Sequence, residues 1–356
     1  VTAAGESRGP GRAEQSAPGP IAALREIGFW LERDRAQTHR VQAYRRAADI
    51  LAELDDTAAD RHRRDRSWQE LAGIGPKTAA VIEESYSGAV PRHLAELRAA
   101  AKPIGPDGAP LRELLRGDLH THSNWSDGGS PIAEMMACAA AIGHEYCALT
   151  DHSPRLTVAG GLSAERLRRQ LDVVAALDAE LTPLRILTGI EVDILDDGSL
   201  DQDADLLAEL DIVVASVHSR LRDDRDTMTR RMVYAVANPN VDVLGHCTGR
   251  LVEGGRGTRP ESEFDARIVF EACRRYGTAV EINSRPERRD PPARLIRLAL
   301  EMGCEFSIDT DAHAPGQLDW QGYGCARAVA AEVPPDRIIN TRPVDELLEW
   351  TRTPAG

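Results

Sequence analysis

A chain of 356 residues, 42% of them hydrophobic, can build one large core plus a small accessory domain. It contains no apolar run long enough to span a bilayer, and its first twenty residues lack the apolar stretch of a secretory signal, so a cytoplasmic protein is expected. The net charge of −14 is lopsided: residues 1–115 hold 17 basic and 17 acidic side chains, so all of the excess acid lies beyond them. Such a split suits a front that meets a polyanion and a back that gathers metal-binding carboxylates, or an acidic back that merely aids solubility. Only two lysines are present, Lys77 and Lys102, so a mechanism that needs a lysine has almost nowhere to place it. The six cysteines (Cys138, Cys147, Cys247, Cys273, Cys304 and Cys325) are dispersed without a CxxC pair, which signals neither a disulfide framework nor a thiolate zinc site.

Residues 1–19, rich in Gly, Pro, Ala and Ser, read as a disordered tail. Residues 20–98 read as a small all-α domain. Ile21, Leu24, Ile27 and Leu31 fall at helical spacing, as do Val41, Tyr44, Ala48 and Leu51, with the polar RDRAQTHR between them as a turn. In WQELAGIGPKTAAVIEE, Leu71 is expected to end a helix, Gly73-Ile74-Gly75 to form a tight hairpin, and Pro76 to open the next helix. Gly73 and Gly75 would let backbone N–H groups approach a phosphate, and Lys77 adds charge. The run Arg61, Arg63, Arg64, Arg66 is either a second phosphate-facing patch or a solvated loop. Residues 99–116, AAAKPIGPDGAPLRELLR, read as a linker.

From Gly117 the chain alternates strand-like runs with helical patterns, the signature of a parallel β/α architecture. The runs are GDLH, EYCALTDH, RILTGIEVDI, DIVVASVH, VDVLGH, TAVEIN and CEFSIDTDAH, and seven strands where eight are usual imply a distorted TIM-like barrel. At or near their ends stand His120, His122 and Asp127, then His152, Glu191, His218, His246, Asp311 and His313. Of the seven histidines after residue 116, only His144 lies elsewhere. Any one of them is more often a surface or core histidine than a ligand. Six at one barrel mouth with three carboxylates would repel and desolvate at large cost unless something compensates them.

The LxGIGPKTA segment resembles the helix-hairpin-helix motif, and THRVQAYRRAADIL resembles the matching helix in the N-terminal domain of family X DNA polymerases. The resemblance implies DNA as a partner, bound through Gly73, Gly75 and Lys77. Where the polymerase β type of this domain carries its Schiff-base lysine, this chain has Val81, so the nucleophile for β-elimination at a deoxyribose phosphate is missing. In those polymerases a catalytic core follows the hairpin; here the next segment is already GDLHTHS.

The strand-end constellation resembles the PHP family, named for polymerase and histidinol phosphatase, over about residues 117–356. That family's fold is a seven-stranded β/α barrel with a site for three divalent metals. Carried over residue by residue, the resemblance implies His120, His122, Glu191 and Asp311 around a first metal. Glu191 would bridge to a second, held by His218 and His246, while Asp127, His152 and His313 would hold the third. Cys247 departs from the proline usual after the ligand histidine and could add a soft ligand, and SRPERRD is more basic than the related segment. Amidohydrolases also open with HxH and close with Asp, but many bridge their metals through a carbamylated lysine, and no lysine follows Lys102.

Histidine-rich ligands select Zn, Mn or Fe over Mg. Such ions activate water and clamp phosphate oxygens, with Glu191, Asp311 and His120 at the centre of the chemistry. Arg250, Arg285 and Arg288, just beyond strand ends, are candidates to hold the phosphate of a phosphoester substrate, or are simply exposed arginines. The expected function is a metal-dependent phosphoesterase acting on DNA, as a 3′-to-5′ exonuclease or a 3′-end-trimming repair enzyme. The alternatives are a small-molecule phosphatase of the histidinol-phosphate type and a non-catalytic DNA-binding accessory protein.

Overall fold

The computed structural model describes residues 17–255 and 257–352, which form two compact units divided after Lys102. The tail expected over residues 1–19 lies, for residues 1–16, outside the described residues. No helix among the described residues is long and apolar enough to cross a membrane.

The first unit is helical: α1 (Pro20–Arg33), α2 (Thr38–Glu53), α3 (Asp56–Asp65), α4 (Pro76–Tyr86) and α5 (Arg92–Ala100). Leu24, Ile27, Ala47, Ala48, Ile82 and Leu94 fill its core, and two bidentate ion pairs, Arg45 with Glu32 and Arg98 with Glu26, tie α2 and α5 to α1. The arginine run belongs to α3 and its left-handed C-cap Arg66, not to a loop, and a 3-10 turn (Trp68–Glu70) stands where a helix was expected to end at Leu71. The hairpin forms as expected, with Pro76 opening α4. Gly73 has φ +102 and a Cβ there would lie 2.8 Å from Ile50, whereas a Cβ on Gly75 would meet nothing within 4 Å. Thr78 Oγ1 accepts the Gly75 N–H at 3.0 Å and fixes the helix start, leaving Lys77 exposed beside it.

The second unit is a barrel of seven parallel strands whose spatial order equals their chain order. These are β1 (Gly117–Thr121), β2 (Tyr146–Leu149), β3 (Arg185–Asp193), β4 (Ile212–Ser216), β5 (Val243–Leu244), β6 (Ala279–Asn283) and β7 (Phe306–Asp309). The short α6 (Ala109–Arg112) precedes the barrel, and α7 (Ile132–Ala141), α8 (Ala164–Glu180), α9 (Ala204–Leu207), α10 (Arg225–Val236), α11 (Ala266–Tyr276), α12 (Ala293–Glu301), α13 (Gln321–Ala330) and α14 (Val344–Arg352) follow in turn. Strand alternation sorts the side chains. Ala148, Leu187, Val214, Val243 and Ala279 meet inside the barrel, while Cys147, Leu149 and Ile186 face α7 and α8, and Leu244, Val280, Ile282 and Ile308 face the later helices. Further along the same inward rows stand Glu191 after Leu187 and Glu281 after Ala279, so the interior turns from apolar to ionisable toward the C-terminal strand ends. In β1 the register slips between Asp118 and Thr121, so Leu119 joins the apolar interior while its neighbour His120 enters the polar layer.

Regular pairing runs from β1 round to β7 and is nearly closed there. A single bridge joins Thr121 to Ala312, and side chains supply the rest of the seam. Asp309 Oδ1 accepts the Leu119 N–H at 2.9 Å, Asn340 Nδ2 reaches Gly117 O at 3.2 Å and Asp309 Oδ1 at 2.8 Å, and Gln321 Nε2 spans Gly117 O and Ile308 O at 2.9 Å each.

Residues 103–116 belong to this unit instead of linking to it. Leu111 and Leu115 sit in the barrel's outer core, and Gly105 and Gly108 press on α13, where a Cβ would come within 2.1 Å of Gly322 O and 2.3 Å of Ala326 N. The glycines that resemble a linker are there for close backbone packing. All six cysteines are free, and five are buried.

His144 has a structural role. It is buried, its Nε2 accepts from Arg112 Nη2 at 3.1 Å, and burial first, then the Arg112 charge, lowers its pKa to about 3. The native state therefore refuses a proton that the unfolded chain takes up below the ordinary histidine value, and stability falls as the pH drops from 6.5 toward 3. Relative to wild type, His144→Gln should gain about 2 kcal/mol between pH 7.5 and 5 in urea denaturation. A stability difference that does not change with pH would show that His144 is not held neutral.

Candidate metal centre

One carboxylate organises the barrel mouth. Glu191, on β3 and 1% exposed, points Oε2 at His152 Nδ1 (2.9 Å), His120 Nε2 (3.3 Å) and His122 Nε2 (3.6 Å), and Oε1 at His246 Nε2 (2.8 Å) and His218 Nε2 (3.2 Å). On one flank Asp311 Oδ1 lies 3.6 Å from His122 Nε2, and on another Asp127 Oδ1 lies 3.1 Å from His313 Nε2 and 3.4 Å from His152 Nε2. All nine residues anticipated from the sequence thus converge. Asp311 is in the left-handed region, φ 52, a turn that brings its carboxylate and the His313 ring to the same place.

Three groups among the described residues could each hold an ion: His120, His122 and Asp311; His152, Glu191 and His218; and His122, Asp127, His152 and His313. They overlap the anticipated division, except that Glu191 groups with His152 and His218 and not with His120, that His152 and His122 each stand between two groups, and that His246 joins only through Glu191. The donors fit divalent metals on two counts. His120 Nε2, His122 Nε2 and His218 Nε2 are buried without a hydrogen-bond partner, which is costly unless a cation takes the lone pair. Two donors on one tetrahedral ion at its usual bond lengths stand about 3.3 Å apart, the spacing seen around Glu191.

Burial alone would lift the Glu191 carboxyl, yet the imidazoles of His218, His120 and His152 hold it well below the usual carboxylate range. Asp311 is likewise held down, against burial, by Arg285 and Arg288. Burial, reinforced by His313 and His152, keeps His122 well below the ordinary histidine value, in the neutral form that ligates.

The family model for the PHP domain matches residues 118–285, and that for a helix-hairpin-helix domain matches residues 17–88. A probable phosphatase of Thermoanaerobacter sp. (strain X514) is 30% identical over 207 residues, covering 55% of this chain and 78% of that protein. The chain belongs to the PHP domain family. It is also similar to the DNA polymerase/3′-5′ exonuclease PolX of Bacillus subtilis (strain 168), 41% identical over 243 residues, which make up 68% of this chain but only 42% of that protein. The chain therefore spans less than half of that relative's length. Among solved structures, histidinol phosphate phosphatase of Lactococcus lactis subsp. lactis Il1403, complexed with zinc, L-histidinol and phosphate, is similar at 19% identity and a TM-score of 0.44, over 61% of this chain and 93% of that one.

The three anticipated arginines separate in this PHP barrel. Arg288 Nε lies 3.0 Å from Asp311 Oδ2, and Arg285 Nη1 donates to Asp311 O at 2.8 Å and lies 2.9 Å from His313 Nδ1; both line the cleft above the metal groups. Arg250 does not line it. Its Nε donates to Arg288 O at 3.1 Å, its Nη2 to Arg289 O, and its Nη1 faces Glu261, so it braces the turn that carries Arg288. Arg259, which the sequence did not single out, lines the cleft instead. Cys247 packs in the core outside the strands, where burial pushes its thiol well up, and it belongs to none of the metal groups.

Three further carboxylates brace the site, two of them against histidine rings. Glu281 on β6 is fully buried, with Oε1 2.6 Å from His120 Nδ1, while Oε2 accepts the His246 N–H and Asn283 Nδ2. Asp193 holds His218 Nδ1, and Asp151 accepts from Ser123 N (2.8 Å) and Ser123 Oγ (2.6 Å), fixing the turn toward Asp127. With both Glu281 oxygens facing donors, Glu281→Gln must aim an amide N–H at one of them. It should weaken metal binding by about ten- to a hundredfold in chelator competition while the metal-free protein still folds. Unchanged affinity would show that the carboxylate does not orient the ligands.

Proposed function

We propose that this chain hydrolyses phosphoesters of DNA, as a 3′-to-5′ exonuclease or a 3′-end-processing phosphodiesterase, with its helix-hairpin-helix unit as the DNA-binding element. The observation that carries the proposal is the Glu191 carboxylate ringed by five imidazoles beneath a cleft lined by Arg259, Arg285 and Arg288. The B. subtilis relative, a DNA polymerase/3′-5′ exonuclease, and the match to a helix-hairpin-helix domain support DNA as the substrate.

In this reading His120, His122, Glu191 and Asp311 would hold one divalent ion, Glu191 with His218 and His246 would hold a second, and Asp127, His152 and His313 would hold a third. Zn, Mn or Fe suit this donor set. Such ions supply a water made acidic near neutral pH and neutralise charge on phosphate oxygens. The chain's own part is to place and polarise. Glu191, Asp311 and His120 fix the centre; Glu281 and Asp193 hold the His120 and His218 rings with Nε2 aimed inward. Arg285 and Arg288 bring positive charge to the cleft, where a phosphate group gains bidentate partners. No side-chain nucleophile is needed.

At the hairpin, Gly75, its own N–H held by Thr78, leaves the start of α4 open to close approach with Lys77 beside it, a geometry that suits one phosphate of a DNA strand. Val81, buried in α4, supplies no amine, so lyase chemistry is not part of the proposal.

Metal-loaded protein should release nucleotides from labelled single-stranded or recessed DNA, and His120→Ala should lower that rate by about a hundredfold. Hydrolysis of histidinol phosphate with no cleavage of DNA would overturn the proposal in favour of a small-molecule phosphatase, and hydrolysis of neither would favour an accessory DNA-binding role. Separately, Gly75→Ala with Lys77→Ala should weaken DNA binding by about tenfold and leave turnover of a small phosphoester unchanged. Because nothing surrounds a Cβ at residue 75, loss of both activities would mean that the two units do not divide the labour in this way.

A further inference from the structure

The cleft over the metal groups has a volume of about 470 Å³ and a lining of mixed character. Arg259, Arg285 and Arg288 give it cationic surface, and Leu156, Val158 and Ala159 give it apolar surface. Leu221 and Leu251 add to the apolar lining, and its most exposed part comes from the turn that follows His152. Val158 is 93% exposed, more than any other large hydrophobic side chain among the described residues.

That exposure is held in place by the turn's construction. Leu162 donates to His152 O at 2.7 Å and Ser153 to Glu191 O at 3.0 Å, which anchors both ends of the turn beside metal-facing residues. Arg166 Nη1 donates to Gly160 O at 2.6 Å, and the Ala159 and Leu162 side chains are buried beneath. Gly160 has φ +68, and a Cβ on Gly161 would fall 1.8 Å from Ser153 O, so the backbone path itself demands glycine there. A braced turn that raises an aliphatic side chain into water at the rim of an ionic cleft forgoes the burial free energy of that side chain until something covers it.

We infer that Val158, backed by Leu156, is a specificity surface against which the terminal nucleoside of the DNA strand rests while its 5′-phosphoester lies over the metal groups beside Arg285 and Arg288. The inference rests on the phosphodiesterase reading and names the part of the substrate that the metals do not touch. A nucleobase has a flat apolar face next to a polar edge and is separated from its phosphate by one sugar, which suits a cleft with an aliphatic wall and a cationic one. Contact through a base face is tolerant of sequence, as an exonuclease requires.

Two chromogenic diesters test it on the metal-loaded full chain: p-nitrophenyl thymidine 5′-phosphate and methyl p-nitrophenyl phosphate. They release the same leaving group and differ only in the nucleoside. Val158→Asn exchanges an aliphatic side chain for a polar one of comparable size on the surface and should leave the melting temperature unchanged. It should raise KM for the thymidine ester about five- to tenfold, a factor of ten being worth about 1.4 kcal/mol. It should leave kcat/KM for the methyl ester within about twofold. Equal effects on the two esters, or no effect on either, overturn the nucleoside surface while sparing the phosphodiesterase reading. Failure of the wild-type protein to hydrolyse either ester would instead overturn that reading.

Discussion

Glu191 imposes the constraint on which the rest of the barrel depends. A carboxylate 1% exposed, with histidine nitrogens on both oxygens, is tolerable only where charge and hydrogen-bonding capacity balance locally. The barrel meets that demand by stratifying its interior. Leu187 and Ala279 face apolar neighbours at one level, and Glu191 and Glu281, on the same inward rows, face ionisable ones at the other. The apolar layer keeps water out from below, and the C-terminal strand ends supply donors from several directions. Because inward and outward positions alternate with period two, a slip of one residue in β3 would send Glu191 into the outer apolar layer.

The carboxylates behind the histidines matter as much as those that face inward. A ligating imidazole presents one nitrogen and keeps its proton on the other, and Glu281 and Asp193 accept hydrogen bonds from those N–H groups of His120 and His218. β6 contributes no anticipated metal ligand. Yet Glu281 touches the His120 ring and the His246 backbone, and Asn283, two residues on and on the same face, lies 3.2 Å from Asp311 Oδ2. One strand thus orients His120 and Asp311 and fixes the backbone at His246.

Much of this was legible in the sequence because the signals were redundant. Seven strand-like runs with six histidines near their ends left few alternatives to a barrel with its site at one mouth, and the GIGPK glycines specified a hairpin through backbone geometry alone. What could not be read was any distinction that depends on distance. Asp151 in LTDH, Asp193 in IEVD and Glu281 in VEIN look like ligands in the chain, and only their positions, Asp193 and Glu281 behind the rings and Asp151 under the Ser123 turn, reveal another role. Residues 99–116 looked like a linker because glycine and proline serve both loose chain and close packing; Gly105 against Gly322 shows the second use. Arg250 and Arg259 are near in sequence and both follow β5, and only the fold turns one behind the Arg288 turn and the other into the cleft.

The seam between β7 and β1 shows how fold and site constrain one another. His120 and His122 come from one side of it, Asp311 and His313 from the other, and the backbone joins them through a His122 N–H bond to Ala312 O at 2.8 Å. The register slip that turns His120 inward beside Leu119 lies where β1 pairs with β2, so β1 is irregular on that edge and only bridged on the other. Asn340, Gln321 and Asp309 satisfy the backbone groups that the missing ladder leaves open. An ion held by His120, His122 and Asp311 would span the same seam, so its binding free energy adds directly to closure of the barrel. The irregular edge is therefore what allows ligands from the first and last strands to meet, and a metal bound there would share with the polar side chains the task of holding it shut.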